Sequence, residues 1–363
     1  MFVAWRDLTF AKGRFALMGA VVVLITLLVG LLSGLTAGLA RQNVSAVTGL
    51  PADRIAFAAP AAGQDLSYAD SVVTERQWRQ WANTPGVTRA EPLGITTTRA
   101  NAGERAAGVS VFGVLPGSSL APAGDRIGDG TVVVSAAAAE GLGVAAGDSV
   151  TLAGRELTVA ATRGDASFSH TPVVWASLAT WTSLAPPAGA RGGAPTATVI
   201  ALDTARDADL AAGDRAAGTR TVTKDASLAA IGSYTSENGS LQLMRGFLFA
   251  ISALVVGAFF TVWTIQRSGD VAVLKALGAP TRRLLADALG QALVLLTGGT
   301  LAGTALAAAI GAAVSGSDIP FALTPATVLA PAAVTIVLGA LGAALSIRRI
   351  TSVDPLTALG SAR

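Results

Sequence analysis

The chain has no cysteine, one histidine and three methionines in 363 residues. Without thiols there are no disulfides, no thiol nucleophile and no cysteine-held metal. The single His170 stands in FSHTP, beside Ser169 and before Thr171-Pro172. It reads as a loop residue, and no spacing supplies it with a Ser/His/Asp partner. Charge is also thin, at 13% of residues. Asp53, Asp65, Asp70, Glu75, Glu91 and Glu104 are scattered as solvated surface acids would be, without metal-ligand spacing. No G-x-x-x-x-G-K-[ST] stretch surrounds Lys12, Lys224 or Lys275, so nothing here cradles ATP phosphates. A net charge of only +3 gives no basis for nucleic-acid binding. These absences leave little room for an enzyme.

What the chain has instead is apolar length. Hydrophobic residues make up 52% of it, which is the composition of a membrane protein. Four charge-free runs are long enough to cross a bilayer. We read transmembrane helices over residues 15–40, 237–266, 288–316 and 319–347. Residues 1–14 mix Trp5, Phe2 and Phe10 with Arg6, Lys12 and Arg14, as an interfacial helix does. Residues 41–236 differ in kind. Charges return, Pro and Gly punctuate, and β-type runs stand at Thr131–Val134, Asp148–Leu152, Glu156–Ala160, Thr171–Trp175 and Ala197–Leu202. Helical pieces are expected at Thr74–Asn83 and Leu178–Leu184. The fold class is therefore an α-helical integral membrane protein with four transmembrane helices. A large extracellular mixed α/β domain is inserted between helices 1 and 2. Lys and Arg cluster at the N-terminus, in residues 267–287 and in residues 348–363, which places all three in the cytoplasm.

Three local patterns carry functional content. Gly30, Gly34 and Gly38 recur every four residues in the first span, so a second helix or a flat ligand can approach its backbone. After the second span, Leu274 and Leu277 are surface neighbours on a short helix, with Arg282 and Arg283 beyond them. Glu237 and Met244 are about 10 Å apart along one helix face, with Tyr234 nearly a turn earlier and Phe247 a turn later. Glu237 equally suits a helix start, where an acid complements the dipole after a Thr235 or Ser236 cap.

The segment GDVAVLKALGAPTRRL (Gly269–Leu284) resembles the cytoplasmic loop of FtsX-like permeases of MacB-type ABC transporters. The ending SVDPLTALGSAR (Ser352–Arg363) is similar to that family's C-terminus. LGVAAGDSVTLAGRELTVAAT (Leu142–Thr162) is similar to a β unit of its extracellular domain. The opening MFVAWRDLTFAKGRFALMGAVVVLITLLVGLLSGLTAGL is most like the haem-exporting members in Gram-positive bacteria. The resemblance implies a multi-pass cell-membrane permease that works as a homodimer amid lipid. Two copies of a separate ABC ATPase would bind ATP and Mg and dock on Leu274, Leu277, Arg282 and Arg283. It implies haem as the substrate rather than a resident cofactor. Carboxylate, phenolate and thioether groups all bind haem iron. The expected haem site is thus Glu237, Met244, Tyr234 and Phe247, with Gly34 and Gly38 leaving room for the ring. The alternatives are export of a peptide, lipophilic drug or lipoprotein, or force transmission without a transported substrate.

Overall fold

The structure is a computed structural model that describes residues 12–184, 195–266, 280–314 and 319–350, with positions 273 and 278. Two compact units divide the chain, one of residues 1–38 and 239–363, the other Leu39–Asn238.

The four long helices are α1 (Lys12–Thr48), α7 (Tyr234–Gln266), α8 (Thr281–Val314) and α9 (Pro325–Ile350). Each contains a segment long and apolar enough to cross a membrane: Ala16–Thr48, Tyr234–Val262, Ala286–Val314 and Pro325–Leu345. Within the membrane unit the helices meet through small residues. A Cβ on Gly303 would come within 2.6 Å of the Val23 carbonyl of α1, and one on Gly342 within 3.2 Å of Gly257 Cα of α7. Such contacts let backbones touch where no hydrophobic force drives helices together. Pro331 lies inside α9, and Thr335 Oγ1 donates to its carbonyl at 2.9 Å.

The second unit is a mixed α/β domain. Its strands are β1 (Arg54–Ala58), β2 (Val73–Thr74), β3 (Val87–Ala102), β4 (Arg105–Val114), β5 (Thr131–Val134), β6 (Ser149–Leu152), β7 (Arg155–Thr162), β8 (Ser167–Phe168), β9 (Thr171–Ser177), β10 (Pro195–Ala197), β11 (Val199–Thr204) and β12 (Thr219–Thr223). Its helices are α2 (Glu75–Ala82), α3 (Ala136–Leu142), α4 (Leu178–Leu184), α5 (Leu210–Ala217) and the short α6 (Lys224–Ser227). The main sheet runs β12-β1-β11-β3-β4-β9-β5-β7-β6. β6 also pairs with the far end of β3, Ala100 opposite Leu152, so six strands from β3 to β6 close into a ring. Closure removes the sheet edges there. The first half of β3 instead pairs with β11, Leu93 opposite Val199, so one strand joins the ring to the strands β12-β1-β11. It changes role near Pro92-Leu93-Gly94, where the Trp181 ring lies against Gly94 and Gly113.

Side chains alternate between two cores on opposite faces of these strands, as period-two geometry requires. One contains Ile55, Phe57, Leu93, Phe112 and Trp175. The other contains Trp81, Val111, Val132, Leu152 and Ile200. α2 is fastened by a capping box in which Thr74 and Gln77 exchange bonds. Val44 and Val47 of α1, and Leu50 just after it, belong to the first core, and Tyr234 of α7 packs against it. The outer turns of α1 and the first turn of α7 are therefore fixed parts of this domain.

Candidate functional site: a polar cluster at the start of α7

The β8–β9 hairpin has a two-residue loop, Ser169–His170, closed by Phe168 opposite Thr171. Both loop residues are left-handed, with φ of 49° and 63°. Neither is glycine, so the conformation costs roughly 1–2 kcal/mol per residue and needs outside support. Support comes from α1. The Ser169 and His170 N–H groups donate to the Asn43 and Gln42 carbonyls at 2.9 and 3.2 Å. Ser45 Oγ accepts from the Ser167 N–H at 2.9 Å and donates to its carbonyl at 3.3 Å. Arg41 pairs with Asp165 at 2.9 Å. Beneath the loop, Phe168 sits edge-on to Tyr68 and Phe112, at 5.5 and 5.7 Å between ring centroids. Tyr68 donates to Ser227 Oγ at 2.9 Å. Burial pushes its phenol well above the ordinary value, so it stays a neutral donor.

This framework aims His170 at the first turn of α7. His170 Nε2 lies 2.8 Å from Glu237 Oε2. Asn43 Nδ2 donates to the same oxygen at 2.9 Å and to Ser233 Oγ at 3.4 Å. Asn43 is 2% exposed, and its Oδ1 has no partner among the described residues. The His170 and Glu237 side chains are 33% and 41% exposed. A carboxylate and an imidazole thus meet at the domain surface, held by a buried amide. The pair can exchange a proton or offer a nitrogen and an oxygen to a metal-containing ligand.

The sequence-predicted site residues fall in different surroundings. Glu237 is in the cluster. Tyr234 packs against the domain core instead of pointing its ring into the cluster. Met244 and Phe247 are exposed on α7, at 49% and 60%. The space over the α1 glycine row is filled from within the membrane unit. A Cβ on Gly34 would lie 2.2 Å from the Phe321 ring, and one on Gly38 2.0 Å from the Pro320 carbonyl. The Ala322 N–H donates to the Gly34 carbonyl at 3.0 Å. Room for a flat ring at Gly34 and Gly38 is therefore taken by the α8–α9 connection. Leu274 and Leu277 lie outside the described residues, as do the side chains of Arg282 and Arg283. His170, expected to be a loop residue without a partner, is in a loop but has one. Its partner is 67 residues away in sequence, so no local spacing could reveal the pair. Among the described residues no group of three His, Cys, Asp or Glu could hold a metal ion.

The family model described as the MacB-like periplasmic core domain matches residues 16–219, and that of the FtsX-like permease C-terminal matches residues 243–355. The chain is 25% identical over 368 aligned residues to HrtB of Staphylococcus haemolyticus, a hemin transport system permease by its name, covering 99% of each. It is 33% identical over 126 residues to PvdT of Pseudomonas syringae pv. tomato, named as a pyoverdine export ATP-binding/permease protein. That match covers 34% of this chain and 19% of the relative. The periplasmic region of MacB from Actinobacillus actinomycetemcomitans aligns over 50% of this chain and 92% of its own, with a TM-score of 0.35 and 11% identity. The chain belongs to the FtsX-like permeases of ABC transporters that carry a MacB-like periplasmic core domain.

Proposed function

We propose that this permease exports haem from the membrane and so relieves haem toxicity. The work would be driven by ATP hydrolysed with Mg on a separate partner chain. Two copies of this chain would form the membrane part, joined by two ATPase subunits in the cell membrane of a Gram-positive bacterium. The basic segments would face the cytoplasm and the α/β domain the outside. Leu274, Leu277, Arg282 and Arg283 would then meet the ATPase.

One conjunction supports the haem reading. A chain that aligns end to end with a permease named for hemin carries an iron-competent Glu237–His170 pair at the start of its second membrane helix. Carboxylate oxygen and imidazole nitrogen both bind haem iron. Met244 and Phe247 lie further along the same helix and would wall the route of an apolar ring. Tyr234 would set the position of the first helical turn.

The test is a haemin titration of the purified full-length protein, followed by visible absorption. Wild type should bind haemin with a defined spectral change. Glu237→Ala should weaken binding strongly, and Met244→Ala less. Absence of haemin binding by wild type would overturn haem export and leave peptide or lipophilic-drug export as the reading to pursue.

A further inference from the structure

Resting on the haem reading above, we infer that His170, through Nδ1, is the group that binds the iron, and that Glu237 is its anchoring partner. The hydrogen bonds that join Asn43, Glu237 and His170 leave one ring nitrogen of His170 open, and that observation carries the inference. Its Oε2 already accepts from Asn43 Nδ2 at 2.9 Å and lies 2.8 Å from His170 Nε2. An iron atom placed on that oxygen would have to displace both. It would take from the Asn43 amide, which is 2% exposed, the shorter of its two bonds and leave Nδ2 only Ser233 Oγ at 3.4 Å, with Oδ1 unpartnered already.

His170 offers iron an easier path. An ionised carboxylate only accepts, so the ring nitrogen that faces it must carry a proton. Neutral His170 therefore holds its proton on Nε2, and the lone pair is on Nδ1. No hydrogen bond to Nδ1 occurs among the described residues. This is the arrangement found around metal-binding histidines, which pass their other N–H to a carboxylate and gain basicity and a fixed ring plane from it. Ring orientation is set a second time by the backbone, because the left-handed loop is tied to the Gln42 and Asn43 carbonyls. Asn43 in turn orients Glu237. The result is a three-part relay of Asn43, Glu237 and His170, all drawn from one compact unit. Nδ1 is flanked by the ring carbon that bears the side chain, so a bulky macrocycle is crowded there. Crowding weakens the bond and suits a site that must release its cargo.

His170 is the only histidine in the chain, so its ring nitrogens can be observed alone in tag-free protein. Nitrogen-15 NMR of the haem-free, full-length protein in detergent should show neutral imidazole protonated at Nε2. Protonation at Nδ1 instead would overturn the inference without involving haem. Haemin titration of the same protein should give the absorption of imidazole-bound ferric haem. His170→Asn keeps a residue that tolerates the left-handed loop and should lose that signature. In His170→Gly, added imidazole should restore it. Glu237→Gln should keep nitrogen ligation but bind haemin about 10-fold more weakly or worse, as the loss of an outer partner does. An unchanged spectrum in His170→Asn, with the wild type still binding haemin, would overturn the inference and return Glu237 to the ligand role. No haemin binding by wild type would overturn the export reading and this inference with it.

Discussion

The α/β domain and the membrane unit of the same chain bury opposite things. In the domain the largest side chains go inside: Trp81, Phe57 and Phe112 are fully buried. In the membrane unit many large side chains point outward, with Leu254 71%, Leu345 69% and Leu17 65% exposed. Its buried cluster is small, formed by Met18, Val22, Val256, Phe260, Ala292, Leu296 and Ala343. Water drives the first arrangement, because each apolar side chain taken from it gains roughly 1.5–3 kcal/mol. Lipid is as apolar as leucine, so the second gains nothing by hiding leucines and relies on close packing. Glycine follows the same division only in part. In the domain it serves both where the backbone turns left-handed, as at Gly103, and where a tryptophan ring lies against it, as at Gly94 and Gly113; between the membrane helices it serves where no side chain fits.

The largest effect that would break this comparison is at Trp81. Its ring touches Gly213, and its Nε1 donates to Thr219 Oγ1 at 2.9 Å. Trp81→Ala leaves a cavity and takes from the Thr219 hydroxyl its donor, while its bond to Asp214 remains. It should destabilise the domain by ~3–5 kcal/mol. Leu254→Ala removes a side chain of similar apolarity from the membrane unit and should change stability by less than ~0.5 kcal/mol. Urea unfolding of the full-length protein in detergent, followed by near-ultraviolet circular dichroism, measures both. Comparable losses would mean that α7 is packed as a soluble helix is, and the contrast between the units would fail.

How much of this was legible in the sequence also divides along the two units. The four membrane helices were, because twenty apolar residues in a row have few other fates. In the domain, Thr131–Val134 is a strand with those bounds, and Leu178–Leu184 a helix. β7 extends past the expected Glu156–Ala160 to Arg155–Thr162. The β3–β4 hairpin was missed. VTRAEPLGITTTRANA carries a proline, a glycine and charges, and only the last part alternates in burial as a half-exposed strand does. Its ladder to β4 and the closure by β6 are long-range facts that no window contains. At the site, Glu237 stood out as an acid beside an apolar run. His170 did not, since its significance comes from a hairpin loop docking on α1. The glycine row in α1 was visible, but the Phe321 ring that fills it comes from the far end of the chain.

Gly34 offers the next test, of intermediate size. The ring of Phe321 lies between it and Gly311, whose own Cβ would fall 2.3 Å from the same ring. Gly34→Ala forces either the ring or the helix to move. Overpacking of this kind costs about 1–3 kcal/mol. If space is the whole reason for the glycine, Phe321→Ala should recover most of the loss when combined with Gly34→Ala. The double mutant cycle is read from thermal unfolding in detergent. Additive effects would show that the ring and the glycine do not share one constraint.

The smallest effect is expected at Gly103, and it isolates the other use of glycine. Gly103 opens the two-residue loop between β3 and β4, where Ala102 faces Arg105. Its φ is +55°, and nothing lies within 4 Å of where a Cβ would stand. Crowding therefore cannot penalise a substitution; only the left-handed backbone can. Gly103→Ala should destabilise the domain by ~1 kcal/mol, the usual handedness penalty for a residue with a Cβ. Gly103→Asn should destabilise it less, because a short polar side chain tolerates this region through local hydrogen bonds. At Gly34 the order reverses, since asparagine is larger than alanine and only size matters there. Measuring Ala and Asn at both positions by thermal unfolding gives four numbers and one crossing. If Asn were worse than Ala at Gly103 as well, a neighbour would be limiting space in that loop. Gly103 would then be limited by contact, as Gly34 is, and not by conformation alone.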